Sequence, residues 1–211
     1  QEIVYKIHYK RIKNCYLRVE KGEVVIRCSP LFPQSEIEKL IRNHQEEILE
    51  QIKGYVPKYN YQEDGYVYLF NQKYQIVLKD MNIKKCAIHD RQIYVYSKNI
   101  QATIEMFLKQ ELMNYLKERI DFYLSTSFHH VFPEIQIKKM KRRWGACFYQ
   151  KNRVCFNLVL AHIDYALIDY VIVHELCHFL EANHSKAFYH EIEKRMPDYK
   201  ERERLLKDVG I

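Results

Sequence analysis

DYALIDYVIVHELCHFLEA, Asp164 to Ala182, is the stretch whose reading decides the fold. Asp164 is suited to cap a helix, and the residues after it are apolar almost all round, the profile of a buried helix. Inside it stand His174-Glu175-Leu176-Cys177-His178. Two imidazoles at positions i and i+4 lie one turn apart on the same face, close enough to share an ion, and Glu175 stands beside them to reach a metal-bound water. With 10 His in the chain, a chance HExxH arises on the order of a few per cent of the time. The context adds weight. A His, a Glu and a His among Val171, Ile172, Val173, Leu176, Phe179 and Leu180 would be costly buried groups without a partner, and a metal supplies one.

A catalytic zinc site needs a third protein ligand and an open position for water. His184 is the first candidate, but a continuing helix would carry it some 80° off the ligand face and ~9 Å beyond His178 along the axis. The helix must therefore stop. Asn183 is comfortable in a left-handed C-cap and Ser185 can cap a following helix, so the chain is expected to reverse at 182 to 184. His190, Glu191 and Glu193 on that next helix remain alternatives. Glu175 is expected to act as general base on a zinc-activated water, with Tyr189, His190, Tyr199 and Arg143 as candidates for stabilising the oxyanion.

Outward from this segment, residues 100 to 128 carry Ile104, Phe107, Leu108, Leu112, Tyr115, Leu116 and Ile120 at helical spacing, with Thr103 and Glu105 near a polar start. EIQIKKMKRRWG, from Glu134, reads as a strand, and CFYQKNRVCFNLVL as two more joined at Gln150 to Asn152. In strand geometry Lys139, Lys141 and Arg143 would share a face, able to meet an anionic group or simply to form a solvated, Lys-protected edge. The single Trp144 reads as a packing anchor. In the first half, IVYKIHYK, YLRVE and EVVIRCS read as strands, the last two joined by a turn at Lys21-Gly22. One helix is expected over 34–54, opened by a Ser35/Glu38 capping box. YVYLF, YQIVLK, KKCAIH and QIYVYS return to strand chemistry with breaks at Asn71-Gln72 and Asp90-Arg91.

Composition bounds these readings. The 211 residues, 47% hydrophobic with 5 Gly and 5 Pro, can bury a proper core and exclude disordered or collagen-like chains. Lys and Arg total 34 against 27 Asp and Glu, a net charge of +7 that permits an anionic partner. No apolar run approaches the ~20 residues of a membrane span, and the charged first residues offer no export signal. Six cysteines with no CxxC pair point to reduced thiols in a cytoplasmic protein. Cys147, Cys155 and Cys177 read as buried thiols rather than a second metal site.

The combination Lys141-Arg142-Arg143-Trp144-Gly145-Ala146-Cys147, Asn157-Leu158, Asp169 to Leu176, Asn183-His184-Ser185, Phe188-Tyr189 and Pro197-Asp198-Tyr199 resembles the YgjP-like (DUF45) metallopeptidase family, related to SprT-like and M48-type zinc peptidases. YKRIKNCYLRVEKGEVVIRCSP and SEIEKLIRNHQEEI extend the resemblance over nearly the whole chain. It implies a zinc-dependent hydrolase of peptide or protein substrates, with His174, His178 and His184 as ligands and Glu175 as base. Ala146 departs from the family's usual Ser, and Tyr189 from its common Trp.

The expectation is an α+β fold in which an antiparallel β-rich N-terminal half (1–97) packs on a helical zincin-like core (98–211). Two other functions compete: a metal-dependent phosphohydrolase acting on nucleotides, and a nucleic-acid-associated zinc-binding module. Both draw on the basic run.

Overall fold

The computed structural model describes residues 3–20, 22–54 and 59–210. It is a mixed α+β structure whose described residues form three small sheets and six α-helices. Two compact units divide at 58/59, Gln1–Lys58 and Tyr59–Ile211.

In the first unit, β1 (Tyr5–Tyr9), β2 (Tyr16–Glu20) and β3 (Glu23–Cys28) form a sheet in the order β1-β3-β2. Gly22 takes φ 75° and Glu20 pairs with Glu23 across the turn, as a tight hairpin requires; Lys21 itself lies outside the described residues. The inner face of the sheet, Val24, Ile26 and Cys28, packs on Ile37, Ile41 and Ile48. The single helix expected over 34–54 is two helices, α1 (Gln34–Asn43) and α2 (Gln45–Gly54). His44 breaks it, because its Nδ1 bonds the Leu40 carbonyl at 2.9 Å and so competes for an acceptor in the last turn of α1. The capping box does not form either; Pro33 is the N-cap, with no side-chain hydrogen bond.

The second unit begins with a five-stranded sheet in the order β4-β5-β6-β8-β7, from β4 (Tyr59–Asn60), β5 (Tyr66–Leu69), β6 (Gln72–Leu78), β7 (Lys85–His89) and β8 (Gln92–Tyr96). Val67, Leu69, Ile76, Ile93 and Val95 share one core with Ile104, Leu108, Leu112 and Leu116 of α3 (Ile100–Tyr123). Residues 59–97 therefore belong with the helical part, and the break comes after 58 rather than after 97. Asn99 caps α3 by accepting from the Ala102 N–H, and a π-helical turn, Leu124–Phe128, ends it at left-handed His129.

The third sheet has the order β10-β11-β9, from β9 (Glu134–Lys138), β10 (Gly145–Phe148) and β11 (Arg153–Asn157). It is followed by α4 (Tyr165–Cys177), α5 (Lys186–Arg195) and α6 (Tyr199–Val209). The sheets are not purely antiparallel. In each, one pair is parallel, β1 with β3, β6 with β8 and β9 with β11, and the strand made last lies between two made earlier. Hairpin turns announce the antiparallel neighbours in the sequence, whereas a parallel partner arrives through a crossing loop that carries no turn signature.

A candidate metal centre on the buried helix

Asp164 caps α4, accepting from the Ala166 N–H at 2.8 Å. Ten residues of α4, from Leu167 to Cys177, are buried, so the helix runs through the core and its side chains are held by packing on all sides. A carboxylate network fixes its middle. Asp169 accepts from Tyr115 Oη (2.8 Å), Arg119 Nη2 (2.6 Å) and Tyr123 Oη (3.1 Å), all on α3. This satisfies a buried charge and ties the two helices together.

Hydrogen-bonded α-helix ends at Cys177, one residue before the second histidine of the motif. Tight turns follow, with Phe179 N–H donating to the Leu176 carbonyl and Leu180 N–H to that of Cys177. The chain reverses without the expected left-handed Asn183, which is absent from the described residues with positive φ. Ser185 N–H instead donates to the Asn183 carbonyl at 2.7 Å, and Ser185 Oγ caps α5 through the Phe188 N–H. His184 is thereby returned to the pair. Its Nε2 lies 3.0 Å from His174 Nε2, and one nitrogen from each of His174, His178 and His184 falls within 4.8 Å of the others.

Three imidazoles at ~2.0–2.1 Å from a tetrahedral ion would place their nitrogens about 3.4 Å apart, so to hold one the His174–His184 pair opens slightly from 3.0 Å and the wider separations, none above 4.8 Å, close. His178 Nδ1 donates to the Glu181 carbonyl at 3.2 Å, which leaves Nε2 with its lone pair free. Burial, with His178 and His184 adding to it, pushes His174 down to about 3, so that ring is a neutral donor. Its Nδ1 is buried without a hydrogen-bond partner, and Nε2 has only the neighbouring imidazole. A donor set of three nitrogens with no carboxylate among them, one ring so poorly satisfied, fits a divalent metal ion. Phe188, fully buried, backs all three rings at centroid distances of 5.0, 4.6 and 4.7 Å.

Glu175 is 6% exposed and turns toward β10. Gly145 lies against it, and the Cys147 backbone N–H donates to its carboxylate. Burial pushes the Glu175 carboxyl up to about 8, against the opposing effects of the Cys147 N–H and the Arg143 guanidinium.

The other sequence candidates divide. Tyr189 is half-buried 6.4 Å from the His184 ring and stacks on buried Tyr199. Glu191 is engaged by Lys194 and Arg195, and neither His190 nor Glu193 joins the histidine cluster. Strand β9 ends at Lys138, so Lys139, Lys141 and Arg143 do not share a strand face; Lys139 pairs with Glu105 at 2.6 Å. The turn that replaces the strand is held by buried Asn157, whose Nδ2 donates to the Met140 and Arg143 carbonyls at 2.8 Å each while Oδ1 accepts from the Met140 N–H. Trp144 packs on the core. Cys147 and Cys177 are each pushed up to about 12 by burial, as inert thiols are, and neither is in the metal cluster. The sequence reading missed Phe188 and Asp169 as supports of the site. Both stand among the residues that carry the family resemblance, but with no role given them; their further signal was place, Asp169 five residues before His174 and Phe188 in the first turn after the Ser185 cap.

The model of one family, described as YgjP-like, metallopeptidase domain, matches residues 13–209. No curated protein matches the chain. Among solved structures, the zymogen of Pyrococcus abyssi abylysin, a metallopeptidase, aligns at 17% identity over 44% of this chain and 94% of its own, with a TM-score of 0.41. The metallopeptidase zymogen of Methanocaldococcus jannaschii jannalysin aligns at 24% identity over 44% and 96%, with a TM-score of 0.40. Because the family match spans both units and takes in the HExxH helix and the returning His184, this chain belongs to the YgjP-like metallopeptidases.

Proposed function

We propose that the protein is a zincin-like, zinc-dependent peptidase in which His174, His178 and His184 hold the ion and Glu175 is the general base. The observation that carries this reading is the convergence within 4.8 Å of three imidazole nitrogens, from His174 on α4, His178 at its C-terminal cap and His184 on the returning turn, with a buried carboxylate at the adjacent Glu175. Bound there, zinc would supply Lewis acidity, making a water more acidic and polarising the scissile carbonyl. Glu175 takes the proton of the attacking water on its carboxylate and later delivers it to the leaving amine. The Cys147 N–H holds one side of that carboxylate and so fixes which oxygen faces the reaction. The Glu181 carbonyl fixes the tautomer of His178, and Phe188 keeps the three rings in register.

The substrate is a peptide or protein. The phosphohydrolase and nucleic-acid readings lose their main support, because the basic strand face on which they drew is a turn with Lys139 tied to Glu105. The test is Glu175→Gln, assayed against a peptide library together with metal analysis. Zinc should be retained at one per chain and turnover lost; hydrolysis at the wild-type rate in that variant overturns the mechanism.

A further inference from the structure

The first unit contains a pair of thiols that the proposed peptidase chemistry does not use. Cys15 immediately precedes β2, and the β2/β3 ladder pairs Tyr16 with Arg27, Leu17 with Ile26 and Glu20 with Glu23. One further step of that register sets Cys15 directly opposite Cys28. Counting from the hairpin, where Glu20 and Glu23 form the closing hydrogen-bonded pair, the 15/28 position is of the non-hydrogen-bonded kind, in which side chains approach most closely. Its ~4.5 Å Cα separation falls inside the range a disulfide accepts.

Both side chains are on the inner face of the sheet. Cys28 is fully buried in the core with Val24 and Ile26, and Cys15 packs on the same cluster from its edge. The two thiols are in contact: burial raises the Cys15 thiol above its ordinary range, and a hydrogen bond with Cys28 raises it further. Their access to solvent differs. Cys28 is closed off, whereas Cys15 is partly exposed and lines two grooves, one with Leu40, His44 and Gln51 and the other with Lys13, Phe32 and Lys39.

We infer that Cys15 and Cys28 form a reversible dithiol/disulfide site, oxidised by a low-molecular-weight disulfide such as glutathione disulfide. Exposure sets the order of events. The Cys15 thiolate attacks one sulfur of glutathione disulfide, forming a Cys15–glutathione mixed disulfide and releasing one glutathione thiolate. Cys28 then attacks Cys15 Sγ and expels the second glutathione, whose thiolate takes up the Cys28 proton. Two protein thiols and one glutathione disulfide become one protein disulfide and two glutathione thiols. The bond closes the open end of the β2/β3 hairpin and pins the loop that crosses from β1.

The test is incubation of the full chain with glutathione disulfide at mildly alkaline pH, followed by alkylation and non-reducing peptide mapping. The expected product has lost two hydrogens in mass, joins the Cys15 and Cys28 peptides, and leaves Cys86, Cys147, Cys155 and Cys177 alkylated. Its thermal midpoint should rise by several degrees, and dithiothreitol should reverse the rise. Cys28→Ser should trap the mixed disulfide on Cys15. If that variant does not fold, Cys15→Ser should fold with its remaining cysteines free of glutathione. A persistent glutathione adduct on wild-type Cys15 with Cys28 still alkylatable overturns the inference, as does any other pairing or a chain left unmodified at saturating oxidant.

Discussion

Gly145 and Glu175 touch: a Cβ built on Gly145 would lie 2.5 Å from Glu175 Oε1 and 2.7 Å from its Cγ. The glycine serves here as empty space, since β10 can pass so close to α4 only where it carries no side chain. Ala146 and Cys147 follow it in the strand, and the Cys147 N–H takes hold of the same carboxylate. Strand and helix thus fix the proposed base from two sides.

Gly145→Ala should therefore leave the histidines in place and displace Glu175. We expect one metal ion per chain to be retained while peptide turnover falls by about 10²-fold or more, the cost of a misplacement of roughly 1 Å. Metal content and kcat measured on the same preparation check this. Turnover within about twofold of wild type would show that the carboxylate tolerates the shift.

Phe188 supports three rings at once, so its truncation should be felt in two measurements. Phe188→Ala removes a fully buried aromatic side chain and should cost ~3–5 kcal/mol in urea unfolding. Phe188→Leu should cost less than ~1.5 kcal/mol. In both, metal affinity should fall by about tenfold or more, as when other supports of a metal ligand are removed. A loss of stability with unchanged affinity would confine Phe188 to the core.

Asp169 holds a partly buried ion pair with Arg119, the side chains being 12% and 26% exposed. Asp169→Ala strands a guanidinium and two tyrosine hydroxyls and should destabilise the chain by roughly 3–5 kcal/mol. The double replacement Asp169→Leu with Arg119→Leu should lose far less than the sum of the two single changes. Equilibrium unfolding of the four proteins gives the coupling directly; strict additivity would mean that the pair contributes nothing as a pair.

The pH dependence of the metal-free chain follows from His174. Its folded pKa is depressed to about 3 by burial, against ~6.5 in the unfolded chain. Below pH 6.5 the unfolded state takes up a proton that the folded state refuses, so this contribution to stability is complete above 6.5 and shrinks as pH falls. By pH 5 the loss attributable to His174 is about 2 kcal/mol. Thermal unfolding in chelator from pH 7 to 5, for wild type and His174→Gln, isolates it. The variant's midpoint should fall less steeply, and parallel curves would contradict the shift.

How much of this was legible in the sequence depended on whether the signal was local. The buried helix, its Asp164 cap and the Ser185 cap of the next helix could be read because each is written within a few residues. The return of His184 was foreseeable from helix geometry, although the chain reverses through turns at 178 to 181 and not through a left-handed Asn183. Phe188, Asp169 and Asn157 owe their importance to partners far away in the chain or on other elements, and nothing beside them announces it. The strand expected through Lys139 to Trp144 failed for the same reason. The apolar alternation of Ile135 and Ile137 was carried on into the basic run as strand, while the residue that bends the segment, Asn157, comes fourteen positions after Arg143. The parallel pairs were illegible because only the antiparallel neighbours are joined by hairpin turns.

The arrangement of the sheets has a consequence for a chain still being synthesised. In all three, the strand made last is inserted between two made before it. Tyr5–Tyr9 has no native partner until Glu23–Cys28 exists, and Glu134–Lys138 none until Arg153–Asn157 does. A ribosome therefore releases these two opening strands into a wait, during which their unpaired backbone can meet other chains. The wait ends only when a hairpin arrives to enclose it.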